Sequence, residues 1–215
     1  VQAFTGSHRF LLDYIQEEIL DPLPERQQRF LLQTSVLTRM NAELCEALTG
    51  EQTSQRMLES LERANLFVVP LDEERKWYRF HALFREVLQV RLRVTQPEQV
   101  ACLHRAAARW YQRQGWLHEA ISHALATRDV LLVAELLESY TERMFLQGEL
   151  KTLLAWIKLL PQEVLRAHPR LATSYILVFQ LLFPFSEQQE DSHLQQLRAG
   201  VEQMARSEDQ TSLTI

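Results

Sequence analysis

The stretch Leu66-Phe67-Val68-Val69-Pro70-Leu71-Asp72-Glu73-Glu74-Arg75-Lys76-Trp77-Tyr78-Arg79-Phe80-His81-Ala82-Leu83-Phe84 decides the fold. Its two aromatic and β-branched runs, Leu66 to Val69 and Lys76 to Phe80, favour strands, and the acidic turn Leu71 to Glu74 joins them. A β-hairpin is therefore predicted in an otherwise helical text. On its C-terminal side His81-Ala82-Leu83-Phe84 opens a helix that runs to about Arg93.

On the N-terminal side the spacing predicts helices. Phe10 to Leu20 repeats apolar residues every three or four positions and stops at Asp21-Pro22-Leu23-Pro24. Pro24 suits a first helical turn, and Phe30, Leu31, Val36 and Leu37 give the apolar face of a second helix. Asn41 is a plausible N-cap for Ala42 to Leu48, which Thr49-Gly50 terminates. Thr53 or Ser54 could cap a fourth helix with the stripe Met57, Leu58, Leu61, Ala64 and Leu66. Helices, a hairpin and a closing helix outline a winged-helix domain over residues 22–95.

Past Thr95-Gln96-Pro97 the chain reads as successive helices broken at Gly115, Gly148 and near Pro184. The breaks are 33 and 36 residues apart, close to the ~34-residue period of tetratricopeptide-like hairpins. Ala108 and Tyr111, then Ala120 and Ala124, supply the small and aromatic positions of such a repeat. Residues 96–215 are thus expected to form tetratricopeptide-like repeats, with an aperiodic tail from Ser207 to Ile215. The fold class is mainly α, a winged helix followed by antiparallel helix hairpins in an α-superhelix.

Composition narrows the function. Of 215 residues, Lys plus Arg make 23 and Asp plus Glu 28, a net charge of −5 that opposes general attraction to nucleic acid or anionic lipid. The run Leu171 to Phe185 carries Thr173, Ser174 and Gln180 and falls short of the ~20 apolar residues of a membrane span, so a buried helix is expected. Cys45 and Cys102 stand alone on apolar faces and are read as buried thiols in a reducing cytoplasm. The start, Val1-Gln2-Ala3, shows no export pattern and suggests a piece of something longer.

Chemistry-bearing constellations do not emerge. Gly6, Gly50, Gly115, Gly148 and Gly200 are too scattered for a phosphate-cradling loop, and no His-x-x-x-His pair offers two imidazoles to one metal. His118 and His123 diverge around a helix, and Glu17-Glu18 and Glu73-Glu74 point apart. The candidate recognition helix, Glu51 to Asn65, sets Arg56 and Arg63 against Glu51, Glu59 and Glu62, a net charge of −1, and the wing tip is acidic as well. DNA binding by this domain is disfavoured. The exceptional polar residue is His81, where the second strand meets the next helix; its plain alternative is a helix N-terminal histidine bonded to backbone.

Several stretches carry a resemblance: Phe4-Thr5-Gly6-Ser7-His8-Arg9-Phe10, Gln28-Arg29-Phe30-Leu31-Leu32-Gln33-Thr34-Ser35-Val36-Leu37, Tyr78-Arg79-Phe80-His81-Ala82-Leu83-Phe84, Leu103-His104-Arg105-Ala106-Ala107-Ala108-Arg109-Trp110-Tyr111, and Glu119-Ala120-Ile121-Ser122-His123-Ala124-Leu125. Together they resemble the middle of MalT-like, LuxR-family transcriptional regulators of the STAND class of signal-transduction NTPases. The resemblance implies that residues 1–21 end the helical extension of an NTPase module, with the winged helix and the start of a helical-repeat sensor following. It also implies that His81 contacts the phosphate of bound ADP and helps lock the closed state. ATP or ADP would belong to the full-length protein, this segment holding no cofactor and catalysing nothing alone. The implied partners are the NTPase domain upstream in the same chain and an inducer or protein on the repeats, with neither nucleic acid nor membrane contacted here. The competing reading is a stand-alone helical-repeat adaptor for a protein or peptide, in which the winged helix is structural.

Overall fold

The computed structural model describes residues 14–183, which divide between Trp116 and Leu117 into two compact units. The expected first helix is described only in its last part, because Phe10 to Asp13 lie outside the described residues. Ile15–Leu20 winds as a π-helix, closed by Asp21 N–H donating to the Gln16 carbonyl at 2.9 Å. That wider turn aligns residues five apart, and Ile15 and Leu20 are the two it buries.

The helical head follows as α1 (Glu25–Thr34), α2 (Ala42–Thr49) and α3 (Ser54–Arg63). Each boundary has a local cause. Asn41 caps α2, its Oδ1 accepting from Leu44 N–H at 2.8 Å, and Gly50 closes it in the left-handed conformation at φ 71°. Thr53 stands at the N-cap of α3 but spends its hydroxyl elsewhere. It donates to Glu51 Oε1 and accepts from Arg26, whose guanidinium grips both Glu51 oxygens at 2.8 and 2.6 Å. This fork ties α1 to the α2–α3 turn, and it holds the Glu51 carboxyl down at about 2.

The wing consists of β1 (Val68–Pro70) and β2 (Tyr78–Phe80), antiparallel with Val68 opposite Phe80 and Pro70 opposite Tyr78. It is shorter than the two apolar runs suggest. Asn65 and Phe67 take left-handed backbone angles, φ 53° and 56°, which turn the chain out of extended geometry before Val68. At the other end the last bond of the pairing is Leu71 N–H donating to the Trp77 carbonyl at 2.7 Å, where the acidic turn begins. On the other edge of β2 the loop after α1 joins in, Met40 and Tyr78 exchanging two backbone hydrogen bonds of 2.8 Å.

Two helices complete this unit, α4 (Ala82–Thr95) and α5 (Pro97–Arg113). Arg91 of α4 reaches Asp21 at 2.7 Å, pinning the π-helical end to the head. Leu103, Ala107 and Trp110 define the buried face of α5 together with Ala108 and Tyr111. Cys102 precedes Leu103 by one residue, about 100° around the helix, and is exposed rather than buried as expected. Cys45 is buried, and that burial pushes its thiol pKa up. An aromatic stack extends from the end of α5 to the wing: Tyr111 against Trp116 at 5.9 Å, Trp116 against Trp77 at 5.4 Å, and Arg39 lying over both indoles.

The second unit is all helix in its described residues: α6 (Leu117–Ala126), α7 (Val130–Leu146), α8 (Leu150–Ile157), α9 (Gln162–Ala167) and α10 (Pro169–Leu182). Ala120 and Ala124 of α6 are fully buried, as the small-residue pattern requires, and Leu136, Leu137 and Met144 fill the inner face of α7. Gly115 and Gly148 both take φ 72°, and both sit in the same C-terminal turn of a seventeen-residue helix, α5 and α7. The break expected near Pro184 and the tail from Ser207 to Ile215 lie outside the described residues. The apolar run from Leu171 is not wholly buried: α10 buries Leu171, Ala172, Tyr175, Val178 and Phe179 but exposes Leu177 and Leu181. No helix among the described residues is long and apolar enough to cross a membrane.

Two measurements test these local causes. Because the folded carboxyl of Glu51 lies below its ordinary value of 4.5, its contribution is complete above that pH and is lost as pH falls toward about 2. Thermal unfolding from pH 6 downward should therefore show the chain and its Glu51→Gln variant separated at the top of the range and converging at the bottom. Asn41→Ala should cost about 1 kcal/mol and lower the melting temperature by about 2–4 °C, read by circular dichroism.

Candidate functional site

His81 is placed entirely by backbone. Its N–H donates to the Phe67 carbonyl at 2.8 Å across the base of the wing, and its own carbonyl accepts from Arg85 N–H at 3.0 Å as the first turn of α4 closes. These two bonds fix the residue at the N-cap of α4, φ −57° and ψ 137°, where strand becomes helix. The imidazole is exposed and makes no capping bond to the helix, so the plain alternative of a ring hydrogen-bonded to backbone is not what the structure contains. The ring instead stands beside Phe67, centroids 6.4 Å apart, and Phe67 in turn rests on Phe84 at 5.1 Å.

The surroundings have a definite electrostatic sense. No side chain caps the first turn of α4, so the positive end of its helix dipole is left uncapped at His81. Arg79 and Arg85 flank His81 in the chain, Arg79 exposed on β2 and Arg85 half-buried on α4. A histidine at an uncapped helix N-terminus can donate a hydrogen bond to an anion.

The rest of the wing has the opposite character. Asp72 accepts from Lys76 N–H at 2.9 Å and Trp77 N–H at 2.7 Å, and these bonds hold its carboxyl below the ordinary range. Lys76 pairs with Glu74, Arg75 with Glu62 at 3.4 Å, and Arg63 of α3 with Glu59 at 3.7 Å. Gln55 ties the same surface together, donating to Glu59, to the Arg75 carbonyl and to the Tyr78 hydroxyl. Arg63 at the recognition-helix position, and Arg75 and Lys76 at the wing tip, are thus spent on neighbouring carboxylates.

The described histidines of the second unit are used in helix packing. His118 contacts Glu149 at 3.0 Å and sits edge-on to Trp156 at 5.1 Å, while His168 contacts Glu138 at 3.1 Å. His123 is buried. Among the described residues no three His, Cys, Asp or Glu side chains gather as a metal site would require. Two features were not legible in the sequence: the Arg39, Trp77 and Trp116 stack, whose members are far apart in the chain, and a groove in the second unit between α7 and α10. Trp77 and Trp116 read as ordinary strand and loop aromatics, and nothing in their spacing joins them.

Comparison with known proteins agrees with this geometry. Residues 16–100 match the MalT winged helix domain, which spans the π-helical turn, the head, the wing and α4. The HTH-type transcriptional regulator MalT of Vibrio campbellii is 42% identical over 166 residues, covering 77% of this chain and 18% of that protein. Its counterpart in Klebsiella pneumoniae strain 342 is 35% identical over 185 residues, 86% of this chain and 20% of the relative. That of Yersinia pestis strain Pestoides F is 34% identical over 211 residues, 96% of this chain and 23% of the relative. The chain therefore spans about a fifth of the length of the curated relatives it matches. Residues 16–100 belong to the MalT winged helix domain family, and over most of its length the chain is similar to a segment of the transcriptional regulator MalT.

Proposed function

We propose that this chain is the switch segment of a STAND-type, LuxR-family transcriptional regulator working in the cytoplasm. In this reading the winged helix, residues 22–95, clamps the ADP-bound inactive state. The helices of residues 96–215 act as tetratricopeptide-like repeats that relay the binding of an inducer or a protein partner. The NTPase domain that precedes the winged helix in such regulators is the partner of the wing base. ATP and ADP are held there, catalysis belongs to that domain, and DNA contact falls to other parts of the regulator.

The observation that carries the reading is the exposed imidazole of His81, fixed by two backbone bonds beside the uncapped N-terminus of α4. A neutral imidazole N–H or an imidazolium donates to a phosphate oxygen, and the helix end adds its dipole in the same direction. Because the bonds that hold His81 belong to the wing base, a rigid movement of the winged helix removes the imidazole from the nucleotide without unfolding anything. The ion-paired surface of α3 and the wing tip supports assigning DNA recognition elsewhere.

The test is His81→Ala in the full-length regulator. A charge-assisted hydrogen bond to phosphate is worth about 1.5–3 kcal/mol, so ADP retention should fall by about 10- to 150-fold and basal transcription without inducer should rise. Unchanged ADP retention together with unchanged basal transcription would remove the clamp. The fold of the variant is checked by its circular dichroism, which an exposed side chain should leave intact.

A further inference from the structure

Between α4, α5 and the loop after α1 lies a cavity of about 210 Å³ that the clamp reading does not use. Its place follows from the joint between the two helices. α4 ends at Thr95 and α5 begins at Pro97, so Gln96 alone connects them. With proline next in the chain, Gln96 leaves helical geometry, at φ −141° and ψ 53°. The joint is fixed on both sides: Gln96 N–H donates to the Leu92 carbonyl at 2.8 Å, and the Gln96 carbonyl accepts from Gln99 N–H at 3.0 Å. Two helices meeting at such a corner leave space between their facing side chains, and Val36 closes it from the loop after α1.

The lining has two characters. Leu92 of α4 and Val36 are buried and, with the half-buried Val100 of α5, make an apolar wall. Gln89 and Arg93, one turn apart on α4, and His104, one turn beyond Val100 on α5, supply the polar part. Gln89 is held in place, its Nε2 donating to the Ser35 carbonyl at 2.9 Å. None of the six lining residues is acidic, so the fixed charge of the cavity is the guanidinium of Arg93. Burial holds the His104 imidazole below its ordinary pKa range, and an anion beside it would favour the protonated form again.

An apolar wall joined to a cationic one, in so small a space, selects a molecule with both parts: a short hydrocarbon ended by one negative group. At about 30 Å³ for a water-sized portion, 210 Å³ holds about seven or eight non-hydrogen atoms. A planar carboxylate matches the guanidinium fork, whereas a bare phosphate would leave the apolar wall without a partner. We propose that this cavity binds a short-chain carboxylate, its oxygens held by Arg93 and His104 and its hydrocarbon tail laid against Val36, Leu92 and Val100. The site itself rests on no part of the nucleotide reading. One consequence does: His81 stands at the other end of α4, so a molecule lodged between α4 and α5 braces the helix that carries the clamp.

Hexanoate, a chain of about the right size, is the probe, titrated by calorimetry into the 215-residue chain. One molecule should bind per chain with a Kd of about 1 mM. Arg93→Ala should weaken binding by about tenfold or more, and 1-hexanol, the same tail without the charge, should bind the unaltered chain about tenfold more weakly than hexanoate. Arg56→Ala, which removes an exposed arginine of α3, should change nothing. Arg93 is exposed, so its replacement should leave the fold intact, as circular dichroism will show. The ring signals of His104 in proton NMR, identified by their loss in His104→Gln, should move along the same saturation curve. No saturable binding at about ten times the expected Kd would overturn the proposal. So would hexanol binding as tightly as hexanoate, an affinity untouched by Arg93→Ala, or His104 signals that stay still while hexanoate binds.

Discussion

Tyr78 is the residue on which the first unit depends. Its backbone is paired on both edges, with Pro70 across the hairpin and with Met40 from the loop after α1, and its ring is fully buried. Burial pushes the phenol above its ordinary range, and the hydroxyl still finds the Gln55 amide at 3.5 Å. One side chain and four backbone groups therefore join the head, the recognition-helix position and the wing. The pairing with Met40 stands where the first strand of a winged helix belongs, so a three-residue hairpin that would be marginal alone is held on both sides. Everything downstream on β2 inherits this anchorage, including Phe80, which packs on Phe84, and His81, whose N–H reaches Phe67.

This anchorage explains why His81 is well placed without a side-chain partner. A functional imidazole is held either by a hydrogen bond to its second nitrogen or by its backbone. Here the backbone suffices: a strand register fixed at Tyr78 and a helix that must begin at Ala82 leave one conformation for the residue between them. Phe67 contributes at a cost. A β-branched or aromatic residue at φ 56° is held there by its surroundings, and its carbonyl and its ring are the two groups that meet His81.

How much of this was legible in the sequence follows from the range of the interactions involved. The Asn41 cap, the Gly50 turn, the acidic hairpin tip and the glycines 115 and 148 are local, and each appears where the spacing puts it. Thr53 shows the first limit: a good cap residue by type, it is taken by Glu51, two residues before it, and by Arg26, a partner that no window around Thr53 contains. Cys102 shows a second, since a helix with a broad apolar stripe can bury either side of Cys102, and only packing against the head chooses Leu103. The candidate site divides the same way. The position of His81 at the strand-to-helix junction is a sequence property, whereas the open helix end and the Phe67 ring beside it are tertiary. The Arg39, Trp77 and Trp116 stack was beyond reach altogether, since cation–π partners leave no periodic trace.

The size of the proposed clamp sets what else the regulator must contain. Moving a two-state switch from mostly closed to mostly open takes about 5.5 kcal/mol of differential binding. One imidazole on a phosphate supplies about 1.5–3 kcal/mol of that, even with a helix dipole behind it. His81 alone can then bias such a switch but cannot lock it, and the remainder must come from surface buried when the winged helix closes. The ion-paired faces of α3 and the wing tip are poor sources, since Arg63, Arg75 and Lys76 already have carboxylate partners and would have to surrender them. Phe67 is the better one: it is an exposed aromatic next to His81 and rigid through its backbone, so covering it releases apolar surface from water at little entropic cost. Closure on that argument is a contact of the wing base as a whole, in which the ring beside the histidine contributes affinity and the histidine reports which nucleotide is bound.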